Sequence, residues 1–212
     1  MTDLASLIRT RDSLHGVAEL LLAGPQYAAS HDIRLRPVPG GFATVGAPDL
    51  RVEGDALVTA GGSYRLTGTY RSVATAAGIE PRTLDDVYSG GLGIGPDDLL
   101  AVDAEQAKVI AEGFAWGDEA LKRFAPDADR VLWPEHFDLG STVGEVNYGM
   151  SPGDSQLAEP YAYVGPWTPR RGEFWNFPFG AARPLHELAD VAAVVAFFEE
   201  GAARAATDPA GS

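Results

Sequence analysis

The sequence predicts an α+β fold in which a mainly antiparallel sheet is covered by three longer helices. Apolar residues recur at the spacing of one helix face in three segments, which are residues 3–22, 103–124 and 184–204. Residues 32–68 and 130–178 instead alternate polar and apolar side chains in short runs that end at glycine or proline, as strands and turns do.

The length of 212 residues fits one domain with its own hydrophobic core. No low-complexity linker interrupts the pattern, so we expect a single domain over residues 1–204. Residues 205–212 follow the final apolar run, and we expect them to form a disordered tail.

Composition excludes several classes of site and partner. The chain has no cysteine, which rules out disulfides, thiolate metal ligands and cysteine nucleophiles and fits a cytoplasmic location. With 16 basic and 30 acidic residues the net charge is −14, so we expect neither nucleic acid nor an anionic lipid surface as a partner. No apolar run reaches the roughly 18 residues of a membrane span, so we expect no membrane insertion.

The first helix is expected to begin at Thr2 or Asp3, because both residue types cap helix N-termini. Gly24-Pro25 is expected to end it. His15 lies on or beside the apolar stripe of this helix. We interpret it there as a packed, hydrogen-bonded core residue rather than as a ligand.

The middle of the chain contains several short elements. Leu50–Glu53 and Ala56–Thr59 flank Gly54-Asp55, which predicts a hairpin with a two-residue turn. Arg71–Ala77 is expected to form a short helix. The final long helix is expected to start at Pro184, because proline suits the first turn of a helix.

The glycine-rich segment Ser89–Gly95 has two interpretations, a phosphate-binding loop or a flexible hinge. Its spacing differs from the dinucleotide-binding pattern, and Asp97 and Asp98 follow where a phosphate would lie. We therefore favour the flexible loop.

Residues 131–180 are the strongest candidate for a functional site, because they combine aromatic and polar side chains among glycine and proline. Two strand-like runs, 136–139 and 145–148, are separated by a short loop and predict a hairpin in which Asp138 lies opposite Glu145. In this register four polar side chains share one patch: His136, Asp138, Glu145 and Asn147.

Three interpretations of this patch stay open. Imidazole and carboxylate groups suit a divalent metal ion, and two close carboxylates suit general acid–base catalysis. In the third interpretation the patch is a solvated sheet face, with neither a bound metal ion nor a catalytic role. We take His136, Asp138 and Glu145 as the candidate catalytic residues, with any metal or cofactor unknown. The His-x-Asp spacing also matches the iron-oxygenase triad with His186 as third ligand, but the chain has too few strands for that barrel.

A second set of residues is expected to line a ligand cleft. Tyr161 and Tyr163 share one strand face, and such side chains give a binding site large apolar area with a polar group. Core packing is the alternative explanation for the same aromatic density. The candidate ligand-binding residues are Trp133, Asn147, Asp154, Glu159, Tyr161, Tyr163, Trp167, Trp175 and Arg183.

Three stretches resemble a family of uncharacterised bacterial proteins: LWPEHFDLG at 132–140, YGMSPGD at 148–154 and EPYAYVGPW at 159–167. The resemblance covers residues 131–180, a quarter of the chain. Members share a Trp-Pro-x-His-Phe-Asp element followed by Ser-Pro-Gly-Asp and Glu-Pro-Tyr-x-Tyr-Val. The resemblance implies no activity, cofactor or catalytic residue, and it supports treating residues 133–167 as one unit.

The function that we expect first is the binding of a small molecule in an aromatic-lined cleft within residues 131–180. One alternative is an enzyme that uses His136, Asp138 and Glu145. The other is a non-catalytic interaction protein, such as a homodimer formed through the aromatic loop 165–179. A Walker loop, a nucleophile elbow and a dinucleotide fingerprint are all missing from the sequence, which disfavours the common NTPases, hydrolases and NAD enzymes.

Overall fold

The computed structural model describes residues 3–211, and their contacts form two compact units. The first contains the residues up to Glu112 together with Leu132–Phe137, and the second contains Gly113–Val131 and the residues from Asp138 onward. Helices and antiparallel strands occur in both units, which confirms the predicted α+β class. Each unit buries apolar side chains of its own, and the single domain over residues 1–204 stays a prediction.

One long helix opens the first unit in three parts: α1 (Leu4–Gly16), a π-helical stretch (Val17–Ala23) and α2 (Gly24–Ser30). Asp3 caps its start by accepting a hydrogen bond from the Ser6 backbone N–H at 3.3 Å. The other predicted cap, Thr2, lies outside the described residues.

The predicted end of this helix at Gly24-Pro25 is wrong, since the helix continues to Ser30. In the π-helical stretch the Gly24 N–H bonds to the Glu19 carbonyl, five residues back. Pro25 then occupies the first turn of α2, where its missing N–H costs no helical hydrogen bond. The Leu20 carbonyl accepts the Arg82 backbone N–H at 3.1 Å instead.

Six strands of the first unit lie side by side in the order β6-β1-β2-β3-β4-β5, each antiparallel to its neighbour. Their ranges are β1 (Leu35–Val38), β2 (Gly41–Thr44), β3 (Arg51–Glu53), β4 (Ala56–Thr59), β5 (Gly62–Arg65) and β6 (Val131–Trp133). Glu53 pairs with Ala56, which confirms the predicted two-residue turn at Gly54-Asp55. The short helix α3 (Tyr70–Ala77) follows and is capped by Thr69.

The helix α4 (Ala104–Phe124) confirms the helix predicted over residues 103–124. Asp103 starts it, because its carboxylate accepts the backbone N–H groups of Glu105 and Gln106, each at 3.0 Å. No helix among residues 3–211 combines the length and the apolar character that a membrane crossing requires.

The second unit contains four antiparallel strands in the order β7-β8-β9-β10. Their ranges are β7 (Asp138–Val143), β8 (Val146–Ser151), β9 (Tyr161–Pro166) and β10 (Ala181–Pro184). A short 3₁₀ turn at Leu185–Glu187 leads to the last helix, α5 (Val191–Thr207).

The predicted helix over residues 184–204 begins too early. Pro184 is the last residue of β10, and α5 starts only after Asp190, whose carboxylate accepts the Ala193 N–H at 2.9 Å. An aspartate directly before an apolar run is the ordinary capping signal, which outweighs the preference of proline for a first turn here.

The segment predicted to be a disordered tail is ordered as far as Gly211. The helix α5 extends to Thr207, and the chain then runs beside residues 169–171. The Arg171 N–H bonds to the Pro209 carbonyl at 3.0 Å, and the Gly211 N–H bonds to the Pro169 carbonyl at 2.7 Å. Ser212 lies outside the described residues.

The core of the second unit forms where α4 and α5 cover one face of the four strands. The Tyr148 ring contacts Phe124 at a centroid distance of 4.6 Å and Phe198 at 5.8 Å. Because side chains alternate along a strand, the neighbouring residues Asn147 and Gly149 belong to the other face. This second face carries four of the residues that the sequence singled out: Asp138, Asn147, Tyr161 and Tyr163.

Candidate functional site

The predicted hairpin of residues 136–148 forms in a different register. Val143 pairs with Val146 around a two-residue turn at Gly144-Glu145, in which both residues have positive φ values of 59° and 64°. Asp138 therefore lies at the far end of β7, about 20 Å from Glu145 at about 3.3 Å per strand residue. The prediction that Asp138 and Glu145 share a site is wrong.

His136 does not lie on a strand either. It belongs to the turn at residues 134–137, where it is exposed while the adjacent Phe137 is buried. His186, the proposed third iron ligand, bonds through Nδ1 to Glu159 Oε2 at 2.7 Å. Within residues 3–211 no group of three His, Asp or Glu side chains has the arrangement that a metal ion needs.

Two tyrosine–aspartate pairs form instead on the second face of β7–β10. The Tyr163 hydroxyl donates a hydrogen bond to Asp138, and the Tyr161 hydroxyl donates one to Asp154 Oδ2 at 2.6 Å. The two rings share a face of β9, as the alternation predicted, with their centroids 6.4 Å apart. Asp138 thus lies beside a predicted ligand-binding residue and not beside the predicted catalytic ones.

Phe179 completes a cluster that we call the aromatic triad, made of Tyr161, Tyr163 and Phe179. Its ring lies 6.3 Å from Tyr161, with the planes 26° apart, and 6.5 Å from Tyr163, almost perpendicular to it. Phe177 stacks on Phe179 with a centroid distance of 5.4 Å and the planes 27° apart. The triad thus has three nearly equal sides, and its Phe179 was not among the predicted site residues.

Two glycines make room for the Tyr163 ring on the strands beside it. Gly140 and Gly149 pair directly across β7 and β8. A Cβ atom at Gly149 would lie 2.5 Å from the Tyr163 hydroxyl, and one at Gly140 would lie 2.9 Å from it. The Tyr163 ring therefore packs directly on the backbone of Gly140 and Gly149, and this position brings its hydroxyl to Asp138.

Both phenols of the triad stay protonated at neutral pH. Burial, with the Asp138 charge as a second cause, raises the pKa of Tyr163 well above its ordinary value. Burial and the bond to Asp154 raise the pKa of Tyr161 in the same way. Asp154 is itself fixed, because its Oδ1 accepts the backbone N–H groups of Gln156 at 2.7 Å and Leu157 at 2.9 Å.

At the opposite end of the same face, Asn147 holds an exposed tryptophan. Its Oδ1 accepts the indole N–H of Trp167 at 3.2 Å and the Thr142 hydroxyl at 2.8 Å. The Trp167 side chain is nevertheless 64% exposed. Asn147 and Trp167 therefore form a separate polar contact, away from the triad.

The variant Asn147→Ala is expected to release the Trp167 ring, because it removes the acceptor of the indole N–H. The steady-state anisotropy of Trp167 fluorescence should fall, with Trp133 and Trp175 and the fourth tryptophan, Trp116, replaced by phenylalanine to isolate the signal. Thr142→Val keeps the indole bond and should leave the anisotropy close to that of the parent protein. Equal anisotropy in all three proteins would contradict the proposed restraint.

The remaining predicted ligand-binding residues are engaged elsewhere. Trp175 donates its indole N–H to Asp208 Oδ2 at 2.9 Å. Arg183 lies 5.0 Å from the Phe197 ring and pairs with Glu200 at 3.3 Å, so it packs against α5. Trp133 belongs to the first unit, where it is 39% exposed.

A cavity of about 350 Å³ lies on the helix-covered side of the second unit. It is bounded by the β7–β8 turn, the end of α4 and the last turns of α5. Its walls include Phe124, Glu145, Tyr148, Arg170, Ala202 and Ala205. None of the predicted tryptophans lines it, and among the predicted site residues it includes Glu145 alone.

The first unit contains a buried acid–base cluster that the sequence analysis did not assign to a site. Glu19 lies in the π-helical stretch and is 8% exposed. Its Oε1 accepts the Tyr88 hydroxyl at 2.9 Å, and its Oε2 lies 3.9 Å from His15 Nε2. A Cβ atom at Gly91 would lie 2.3 Å from the same carboxylate, so the glycine-rich loop packs directly on Glu19.

The pKa values of this acid and this base move in opposite directions. Burial lowers the pKa of His15 to about 4, although its bond to the Pro134 carbonyl at 2.7 Å opposes the shift. Burial raises the pKa of Glu19, and the hydrogen bond from Tyr88 opposes that shift. The i, i+4 spacing of His15 and Glu19 was the only sequence signal for the pair.

Comparison with protein-family profiles, with curated proteins and with solved structures finds no match to this chain.

Proposed function

We propose that this protein binds a small molecule through an ammonium group, at the aromatic triad and its two aspartates in the second unit. The observation that carries the proposal is the triad itself, whose three ring centroids lie 6.3 to 6.5 Å from one another. This keeps the expected small-molecule function and the predicted residues Tyr161, Tyr163 and Asp154, and it adds Asp138 and Phe179 to the ligand-binding set.

The spacing of the rings suits a cation. A cation placed over the centre of such a triangle lies within about 6 Å of every centroid, which is the range of cation–π attraction. Two of the three rings are phenols whose hydroxyls donate to carboxylates. Donation of this kind increases the electron density of the ring and therefore its attraction for a cation.

Charge supports the same ligand class. Asp138 and Asp154 place two carboxyl groups beside the rings, and the whole chain carries a net charge of −14. An anionic ligand would be repelled at this position, whereas a cation gains both long-range attraction and the ring contacts. Tyr161 is 4% exposed, whereas Tyr163 and Phe179 are half-buried, so a ligand would approach the triad from the side of these two rings.

The test is a titration with choline and with its neutral carbon analogue 3,3-dimethylbutanol, followed through the aromatic NMR signals of the triad. Choline should bind more tightly than the neutral analogue by about tenfold, since a cation–π contact contributes about 0.5 to 2 kcal/mol for each favourable ring. Equal affinities of the two compounds, or no saturable shift with choline, would contradict the proposal.

A matched pair of variants separates the triad from general effects of losing a phenylalanine. Phe179→Leu removes one side of the triad and should weaken choline binding by about fivefold. Phe174→Leu removes a ring that packs beside Phe197 at 5.5 Å and lies outside the triad, so it should leave the affinity unchanged.

A further inference from the structure

The cavity behind the strands contains a phenol that has no partner. Tyr148 is 2% exposed, with its ring held between Phe124 and Phe198. Its hydroxyl makes no hydrogen bond to any of residues 3–211, although the side chain lines the cavity. The hydroxyl is therefore available to bond to a group inside the cavity.

An arginine on the same wall is fixed in place without being neutralised. Arg170 Nε donates to the Ala205 carbonyl in the last turns of α5 at 2.8 Å. Within the described part of the chain no carboxylate lies within 4.0 Å of this guanidinium, although 30 acidic residues are present in the sequence. Its other N–H groups remain as donors for an anion, and the planar guanidinium matches a carboxylate.

The part of the wall that α5 provides is apolar and built from small residues. Ala202, Ala205 and Ala206 of α5 leave the space, and Phe124 and Val146 provide apolar surface opposite. A volume of about 350 Å³ falls within the range of small-ligand pockets. Glu145 adds one negative charge at the turn, which disfavours a ligand with two anionic groups.

We propose that this cavity is a second binding site and that it takes a small monocarboxylate with an aromatic or short aliphatic body. Arg170 binds the carboxylate, the Tyr148 hydroxyl donates to the ligand, and the apolar body lies against Phe124 and the alanines. The site is independent of the aromatic triad, because Tyr148 and Tyr163 belong to opposite faces of the strands.

Burial raises the pKa of Tyr148 to about 12. The phenol is therefore protonated through the neutral range and keeps its hydrogen for a ligand oxygen.

The test compares benzoate with benzamide, which has the same shape and no charge, in an NMR titration of the intact protein. Benzoate should bind with a saturable shift of Tyr148 and Arg170 signals, and benzamide should bind about tenfold more weakly, as expected for a lost charge-assisted hydrogen bond. Equal affinities, or no saturable shift up to about 10 mM benzoate, would overturn the proposal.

Variants test the same site from the protein side. Arg170→Gln should weaken benzoate binding by about tenfold while benzamide binding stays constant, and Tyr148→Phe should weaken benzoate binding by about threefold. Ala206→Leu fills the cavity and should abolish binding, whereas Ala203→Leu changes an exposed position of α5 outside the cavity and should not. Benzoate binding that survives both Arg170→Gln and Ala206→Leu at full strength would place the ligand elsewhere and overturn the proposal.

Discussion

The variant Gly149→Ala is expected to destabilise the second unit by about 3 kcal/mol, near the upper end of what overpacking costs. The added Cβ would lie 2.3 Å from the Leu139 carbonyl oxygen and 2.5 Å from the Tyr163 hydroxyl. The first neighbour is strand backbone and cannot move without breaking the β7–β8 pairing. The second can move only by releasing its hydrogen bond to Asp138, so stability and the triad are lost together.

Urea-induced unfolding, followed by far-UV circular dichroism, measures this effect. Gly165→Ala is the matched control, since it adds a methyl group to β9 where the nearest atom, the Phe179 carbonyl oxygen, is 3.4 Å away. We expect the control to change the free energy of unfolding by less than about 1 kcal/mol. Similar destabilisation by both variants would show that the close approach of Tyr163 is not the cause.

The second large effect is a pH dependence of stability that comes from His15. Its pKa is about 4 in the folded protein and 6.5 ordinarily, so below pH 6.5 the unfolded chain binds the proton more tightly. The resulting stability is present above pH 6.5 and is lost as the pH falls toward 4, by about 3 kcal/mol in total. His15→Gln keeps a donor for the Pro134 carbonyl and should remove this loss.

The raised pKa of Glu19 lowers the stability of the protein as the pH rises, which is the opposite of the His15 effect, in part of the same pH range. Its pKa is raised above the ordinary 4.5, so its contribution is full below pH 4.5 and is lost as the pH rises toward the folded pKa. From pH 4.5 up to the folded pKa of Glu19, the contributions of Glu19 and His15 to the free energy of unfolding therefore oppose each other. Glu19→Gln should make the stability of the protein rise more steeply with pH, and His15→Gln should make it rise less or fall.

Unfolding free energies of the wild type and both variants, measured at intervals between pH 4 and 7, distinguish these slopes. Other charged groups face the pair: Asp12 and His136 beside His15, Asp85 beside Glu19, and Glu135 beside Glu19 and Tyr88. They are common to all three proteins, so they cancel in the differences. Parallel curves for the three proteins would contradict opposite shifts of the two pKa values.

Local patterns in the sequence were sufficient to predict an element where short-range interactions decide its structure. Helical spacing identified α4, the Gly54-Asp55 pair identified the β3–β4 turn, and alternation identified the shared face of Tyr161 and Tyr163. The first helix was predicted to end too early, at Gly24-Pro25, because a long-range contact decides its continuation. Its continuation depends on a π-helical stretch whose Leu20 carbonyl bonds to Arg82, which lies 62 residues away in sequence.

The site residues were also predicted incompletely, because their geometry depends on contacts that local sequence patterns do not encode. A two-residue turn at Gly144-Glu145 requires a positive φ at a glutamate, which sequence preference does not favour, so the hairpin register was predicted wrongly. The partnership of Asp138 with Tyr163 joins strands that are not adjacent in the sheet, and no local pattern encodes it. Arg170 is not among the predicted site residues, because its bond to the Ala205 carbonyl depends on where α5 ends.

The fluorescence of Trp167 offers a way to follow occupancy of the cavity. The residues on either side of it, Pro166 and Thr168, line the cavity, while the indole itself is exposed to water and anchored by Asn147. We therefore expect occupation of the cavity to change the surroundings of Pro166 and Thr168 and with them the emission of the indole between them. With Trp116, Trp133 and Trp175 replaced by phenylalanine, this emission would report occupancy of the cavity without a chemical label, from a residue that does not line the cavity.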